Sequence, residues 1–318
     1  MKKKLGFDSS RGGVYNFLIL TLNPQVPSVA GMTNTSLRYL LFPFSRKRKR
    51  RFVLCGLFFL TFVSCPFFSD SFAVTIKSRA AVVMDASTDE VLYSKEPSRQ
   101  LPPASTTKLM TAILVMENKS LSDTITITKN ASRVRPFKAG LKEGSRVTVE
   151  ALLYAALLKS ANDAAVALAE AVAGSEEQFV NLMNQKAAAI GAIDTRFINA
   201  TGLPGPDQYT TALDLVKIMA CAISFPKLKE IIGTPAARVS TEEGRTFALR
   251  NTDRLLWSDE EIIGGKTGFT LSAGHCFVCA AEHKSKRIIV AVLGSPSRKN
   301  LWRETQKLLA LGFGKQAR

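Results

Sequence analysis

Eight consecutive residues, Leu109-Met110-Thr111-Ala112-Ile113-Leu114-Val115-Met116, carry no charge and a single hydroxyl. They continue a helical pattern that opens at Ser105 and runs to about Asn118. A helix that is apolar on every side has no face to offer to water, so it stands at the centre of its domain with other elements around it. The rest of the chain has to supply those elements.

It does so in a recognisable order. Arg79–Asp85 reads as a strand, Ser87-Thr88-Asp89 as a turn and Val91-Leu92-Tyr93 as the return strand of a hairpin. Pro97 and Pro102-Pro103 mark an extended crossing before the central helix. After the short alternating strand Thr124–Ile127, the chain becomes Ala-rich. Helices are predicted over Ala151–Leu158, with Thr148 as cap, over Asp163–Ala173, ended by Gly174, and over Glu176–Ile190, ended by Gly191. Thr211–Ile223 and Pro226–Ile232 follow as helices. Strands then return at Arg245–Leu249, Gly264–Thr267, Cys276–Glu282 and Arg287–Leu293, the last two a hairpin through His283-Lys284-Ser285-Lys286. Lys299–Leu311 has helical spacing. Sequential strands joined by hairpins make an antiparallel sheet. The predicted fold class is α+β: a mainly antiparallel sheet built from both chain ends, flanked by helices, with a mostly helical subdomain inserted at about 120–192.

The 318 residues, 46% of them hydrophobic, are enough for a sizeable core. The formal net charge of +17 suggests an anionic partner, but more than half of it sits in residues 1–73, which hold 11 Lys/Arg and 2 Asp/Glu. Residues 74–318 hold 32 and 24. A nucleic-acid binder concentrates a basic stripe on its folded domain, so no nucleic-acid partner is expected.

The basic N-terminus has another reading. Arg46-Lys47-Arg48-Lys49-Arg50-Arg51 precedes 17 uncharged, mostly apolar residues, Phe52 to Phe68, and Ser71-Phe72-Ala73 then offers small residues for cleavage. This is the order of a secretory signal. Residues 1–73 are therefore read as a leader, with Met32 as an alternative start, and cleavage after Ala73 is expected. An uncleaved anchor is the other reading, weakened by the shortness of the run and by Pro66. A lipid on Cys65 is a third. In the first two readings residues 74–318 are exported, to the periplasm or the extracellular face of the cytoplasmic membrane, with membrane contact only through an uncleaved N-terminus.

Of five cysteines, Cys55 and Cys65 fall in the leader, and Cys221, Cys276 and Cys279 remain. An odd count argues against a disulfide framework. Cys276 and Cys279 lie three apart on a predicted strand, face opposite ways and cannot share a bond or a metal. All three are read as inert core thiols.

The chemistry begins with Ser105-Thr106-Thr107-Lys108. Positions three apart on a helix share a face, so Lys108 can reach Ser105 Oγ. A neutral lysine can take the serine proton, provided burial or a nearby positive charge depresses its pKa. An N-cap serine beside a solvated lysine is the plain alternative. Ser160-Ala161-Asn162, at the junction of two helices, offers a hydroxyl to relay a proton and an amide to hold a substrate carbonyl; helix capping is again the plain alternative. Lys266-Thr267-Gly268 lies on a strand whose edge can pair with an extended peptide, where Gly268 lets a ligand approach the backbone. Lys266 also supplies the like charge that Lys108 needs. Histidines 275 and 283 are not expected to act directly.

Singly these motifs are weak. Together, in this order and on these elements, they resemble the S-x-x-K, S-x-N and K-T-G set of penicillin-recognising enzymes. The longer segments Pro103–Thr111, Leu158–Ala165, Thr195–Asn199 with Gly202-Leu203, and Gly265–Thr270 are similar to those of serine D-alanyl-D-alanine carboxypeptidases, the low-molecular-mass penicillin-binding proteins. The resemblance covers about residues 76–313. It implies a β-lactamase/transpeptidase-like fold and peptidoglycan stem peptides as substrate, with β-lactams as inhibitors. It implies neither cofactor nor metal. By the same resemblance Ser105 is the nucleophile, Lys108 the base and Ser160 the relay. The Ser105 and Phe269 N–H groups form the oxyanion hole. Asn162, Lys266, Thr267, Gly268 and Phe269 bind substrate.

Many members of that family carry a second, all-β domain and a C-terminal amphipathic helix. Neither is expected here. A D,D-endopeptidase that cuts cross-links uses the same motifs and remains the alternative. A class A β-lactamase would need a Glu-x-x-Leu-Asn segment between Asn162 and Lys266, where none stands out. A non-enzymatic wall binder would have no use for Ser105, Lys108, Ser160, Asn162 and Lys266 together.

Overall fold

The structure, a computed structural model, describes residues 75–315. The expected leader, with its Met32 start and Ala73 cleavage point, lies outside the described residues. The chain begins with β1 (Ala80–Asp85) and β2 (Val91–Lys95), then enters α1 (Lys108–Asn118) through a 3-10 turn, Ala104–Thr107. Next come β3 (Thr124–Thr126), α2 (Lys129–Arg133), β4 (Arg146–Thr148), α3 (Val149–Leu158), α4 (Asn162–Ala173) and α5 (Glu176–Ala189). Helices α6 (Ala212–Ser224) and α7 (Pro226–Ile232) lead to β5 (Ala236–Ser240) and β6 (Thr246–Arg250). A second 3-10 turn, Leu255–Trp257, precedes β7 (Ile262–Thr270), β8 (Gly274–His283), β9 (Lys286–Ser295) and α8 (Arg298–Gly312).

Five strands form one antiparallel sheet in the order β2-β1-β9-β8-β7. The first and last strands of the chain meet at its centre, where Val83 pairs with Val290. The fold is α+β, as the sequence implies. Strand β7, which carries Lys266-Thr267-Gly268, is an edge and leaves one side of its backbone free of strand partners.

Two helical layers explain why β1, β8 and β9 are apolar throughout. Ala80, Val82, Val278, Ala280, Ile289 and Ala291 point to one face and join the core that holds α1 and α6. Ala81, Val83, Phe277, Ile288, Val290 and Val292 point to the other, where Leu301, Leu308 and Leu309 of α8 cover them. A sheet covered on both sides loses the polar half of its alternation. Cys276 faces the first core and Cys279 the second, so the pair is split as expected. Burial pushes the Cys276 thiol up to about 11 and that of Cys279 well above its ordinary value.

Helix α1 is central, and every residue from Lys108 to Val115 is buried. Truncating a fully buried Leu109 or Ile113 to alanine would cost about 2–5 kcal/mol. Thr148 caps α3, its hydroxyl accepting from the Ala151 amide.

Some boundaries differ from expectation. The strand expected at Gly264–Thr267 extends over Ile262–Thr270, and that at Arg245–Leu249 begins and ends one residue later. Three elements were not expected: α2, β4 and β5. Each is five residues or fewer, and the two strands are completed by pairing, β4 with β3 and β5 with β6.

Candidate active site

Ser105 lies within the 3-10 turn rather than at the N-cap of α1, and neither the turn nor the helix has a side-chain cap. The plain capping alternative for Ser105 is therefore excluded. Its hydroxyl is turned instead toward Lys108, whose Nζ is 3.1 Å from Ser105 Oγ. The turn is entered through Ala104, at φ 49°, and is held by a close backbone approach. A Cβ placed on Gly202, at φ +79°, would stand 1.8 Å from the Ala104 carbonyl oxygen.

Lys108 is fully buried. Besides Ser105, its Nζ donates to Asn162 Oδ1 at 2.7 Å and to the Thr201 carbonyl at 2.7 Å. A neutral amine has two N–H groups and one lone pair. The two carbonyls take two N–H groups, and the Ser105 hydroxyl can accept the third N–H of the ammonium or donate to the lone pair of the neutral amine. Burial depresses the Lys108 pKa well below its ordinary value, the charge of Lys266 depresses it further, and Asp163 opposes both. The sequence argument named burial or a like charge; the structure supplies both, and burial is the larger cause.

The Thr201 carbonyl is a partner that sequence reasoning missed, because a backbone group leaves no mark on residue type. Its only trace was the Asn199…Gly202 pair. Asn199 Oδ1 accepts from the Thr201 amide at 3.2 Å, the Thr201 hydroxyl at 2.9 Å and the Gly202 amide at 2.7 Å. This turn presents the Thr201 carbonyl to Lys108.

Ser160 sits between α3 and α4 in the left-handed region, φ 62°. That conformation is costly for a residue other than glycine, and it turns the hydroxyl into the cleft. Asn162, expected to hold a substrate carbonyl, is 2% exposed and spends both amide ends inside the protein. Its Oδ1 accepts from Lys108, while its Nδ2 donates to the Pro136 carbonyl at 2.8 Å. It braces the lysine from behind. Asp163, the next residue, accepts from the backbone amides of Ala139, Gly140 and Leu141 and so pins the loop that carries Phe137.

On β7, Lys266 is also fully buried, its Nζ donating to Ser160 Oγ at 3.0 Å and to the Thr267 carbonyl at 3.0 Å. Burial lowers its pKa to about 7, against the pull of the Asp253 carboxylate. Asp253, likewise buried, is raised to about 7 by desolvation. Thr267 Oγ1 donates to Thr252 Oγ1 at 2.7 Å. Gly268, expected to admit a ligand, is approached by the protein itself. A Cβ there would lie 2.9 Å from the Ser105 nitrogen and 3.1 Å from the Pro103 carbonyl oxygen. Phe269 is 47% exposed and stacks on His275, ring centroids 4.4 Å apart.

The motifs meet on one cleft of about 620 Å³, lined by Ser105, Ser160, Thr252, Thr267, Gly268 and Phe269 among others. Lys108, Asn162 and Lys266 stand behind that surface. His275 lines the cleft beside Phe269, whereas His283 pairs with Glu261 at 2.6 Å.

A sequence profile of the D-alanyl-D-alanine carboxypeptidase family matches residues 68–297. The chain is 32% identical over 276 residues to D-alanyl-D-alanine carboxypeptidase DacF of Bacillus subtilis, an alignment covering 84% of this chain and 71% of that protein. It is 33% identical over 252 residues to the D-alanyl-D-alanine endopeptidase of Pseudomonas aeruginosa, covering 74% of this chain and 80% of that one. The crystal structure of a Streptomyces DD-transpeptidase superposes with a TM-score of 0.72 at 32% identity, over 76% of this chain and 98% of that chain. The D-alanyl-D-alanine carboxypeptidase from Mycobacterium tuberculosis superposes with a TM-score of 0.72 at 31% identity, over 76% and 92%. This chain therefore belongs to the D-alanyl-D-alanine carboxypeptidase family, the one its three motifs resemble.

Proposed function

We propose that the protein removes the terminal D-alanine from peptidoglycan pentapeptide stems, through an acyl-enzyme on Ser105. The observation that carries this reading is the contact between Ser105 Oγ and a fully buried Lys108, whose pKa burial and the nearby Lys266 charge hold well below its ordinary value. Ser105 Oγ attacks the carbonyl carbon between the last two D-alanines as Lys108 takes its proton. The N–H groups of Ser105 and Phe269 receive the oxyanion, at about 3–4 kcal/mol per donor in other enzymes. Ser160 passes a proton to the departing D-alanine nitrogen as the C–N bond breaks. Thr267, with Lys266 behind it, receives the terminal carboxylate. Water then attacks the ester, and Ser105 regains its proton. A penicillin acylates Ser105 by the same opening step and leaves slowly.

The domain that does this runs from residue 74, behind a leader that exports it, so the reaction takes place outside the cytoplasm. Among the described residues no helix is long and apolar enough to cross a membrane. Cleavage of cross-links is the second reading, favoured by the identity with a protein named as an endopeptidase.

Product analysis tests both. Pentapeptide fragments and cross-linked dimers are incubated with the protein, and free D-alanine and separated monomers are quantified. Free D-alanine is expected from the pentapeptide. Monomers alone would move the assignment to the endopeptidase, and no product from either would end both.

A further inference from the structure

Behind the cleft lies a buried acid to which the proposed reaction gives no part. Within the segment Asn251–Arg254, Asn251, Thr252 and Arg254 line the cleft, while Asp253 turns the other way and is fully buried. The segment runs beside β7. Thr267 Oγ1 donates to Thr252 Oγ1 at 2.7 Å, so the residue next to Lys266 touches the residue next to Asp253.

A buried carboxylate needs donors or a counter-charge. Asp163, the other buried acid behind this cleft, has donors: it accepts from the backbone amides of Ala139, Gly140, Leu141 and Ala164. Asp253 is not so served. Its Oδ1 accepts from the Leu255 amide at 2.9 Å, and its Oδ2 has no hydrogen-bond partner of normal geometry among the described residues. Lys266 has the complementary need. An ammonium carries three N–H groups. The two acceptors of Lys266 Nζ, Ser160 Oγ and the Thr267 carbonyl, are both uncharged. Asp253 is the carboxylate whose charge acts on it. The other titratable groups facing the pair cannot take that place. Lys108 on α1 meets Lys266 as a like charge. Cys279 on β8 is kept a neutral thiol by burial, with the charges of Asp253 and Asp259 adding to the effect.

We propose that Asp253 is a positioning residue of the acyl-transfer site: its buried carboxylate holds the positive charge on Lys266, the lysine that donates to Ser160. Each charge is the condition for the other. With Asp253 ionised, Lys266 keeps its third proton to higher pH. With that charge removed, burial strips the lysine at lower pH. The control of Lys266 stands on this buried cluster alone, whereas its consequence for substrate rests on the carboxypeptidase reading, in which Lys266 backs the terminal carboxylate.

The test follows Lys266 directly. The full chain is labelled with carbon-13 at the lysine Cε, and the Lys266 signal is assigned as the one lost in Lys266→Gln. Its chemical shift over a pH series is expected to titrate near pH 7 in the wild type. In Asp253→Asn the midpoint should fall by about one pH unit or more. Asp253→Ser, which keeps an oxygen for the Leu255 amide, should do the same and serves if the asparagine variant fails to fold. A merely structural role for Asp253 would lower the melting temperature and leave the midpoint in place. A midpoint unmoved in the folded variants overturns the proposal. A second measurement reads the consequence by fluorescence anisotropy in a Ser105→Ala background at pH 7. A peptide ending in D-alanyl-D-alanine should bind about tenfold more weakly once Asp253→Asn is added, the strength of one charge-assisted hydrogen bond, and its C-terminal amide should bind as before. If the midpoint falls while both peptides keep their affinity, Asp253 governs Lys266 as proposed, and the carboxylate-binding part of the carboxypeptidase reading fails.

Discussion

Gly268 lies against the backbone of Ser105, so closely that a methyl group added to the glycine would stand 2.9 Å from the serine nitrogen. The edge strand and the nucleophile turn thus meet with no room for a side chain. One proposed oxyanion donor belongs to that turn, and the other, the Phe269 amide, follows Gly268 on β7. The spacing of the two donors is set by this contact.

Gly268→Ala must push the strand and the turn apart. Misplacement by about 1 Å can cost about 100-fold in rate, whereas overpacking costs about 1–3 kcal/mol of stability. Acylation of Ser105 by a fluorescent penicillin is therefore expected to slow about 100-fold, with the fold retained in thermal denaturation. A labelling rate equal to wild type would show that the contact does not govern the donors.

The pH dependence of acylation follows from the two buried lysines. As the proposed base, Lys108 must be neutral, so the rate is expected at high pH and lost as pH falls through the Lys108 pKa. The positive charge of Lys266 helps keep that pKa low. Lys266 is itself charged only below about pH 7. Lys266→Gln removes the charge, raises the Lys108 pKa and moves the acid limb of the rate–pH profile upward. Lys108→Arg, which cannot shed its proton, should slow acylation about 100- to 10,000-fold across the profile. Stopped-flow labelling over a pH series measures both. An acid limb that stays put or moves down in Lys266→Gln would remove Lys266 from the account.

Asn199 touches no part of the cleft surface, yet it builds the turn that offers the Thr201 carbonyl to Lys108. Asn199→Ala leaves the Thr201 and Gly202 amides without their acceptor, at about 1–3 kcal/mol. A purely structural role predicts a rate reduced only by the fraction unfolded. A role in holding the base predicts an additional loss of about tenfold in the acylation rate of the folded protein. Labelling rates and thermal unfolding measured on one sample separate the two.

What the sequence made legible was whatever residue type alone dictates. The apolar run after Lys108 reads as central, and the unbroken apolar stretches of β8 and β9 read as buried strands. Ser105, Lys108, Ser160 and Lys266 stood out because three motifs, each weak alone, occur together and in order. Less legible were features that depend on what lies across the fold. Residues Ala236–Ser240 have no strand pattern of their own and acquire one by pairing with β6. Asp253 sits in a polar stretch, Asn251-Thr252-Asp253-Arg254, that reads as a solvated loop, yet it is buried. Asn162 looked like a group for the substrate because nothing local shows that Lys108 and Pro136 will claim both ends of its amide. Gly268 looked like a space for a ligand because its neighbour, the Ser105 turn, is far away in the chain.

The pairing of β1 with β9 has a consequence for timing. Among the described residues Ala80 finds its strand partner only in Leu293, so the sheet cannot be completed until almost the last segment of the chain has been made. Ser105 and Lys108 are made early but stay far from Lys266 and the floor of their cleft for most of synthesis. A chain that ends before residues 286–295 lacks the strand that joins β1 to β8, so it cannot form the five-stranded sheet.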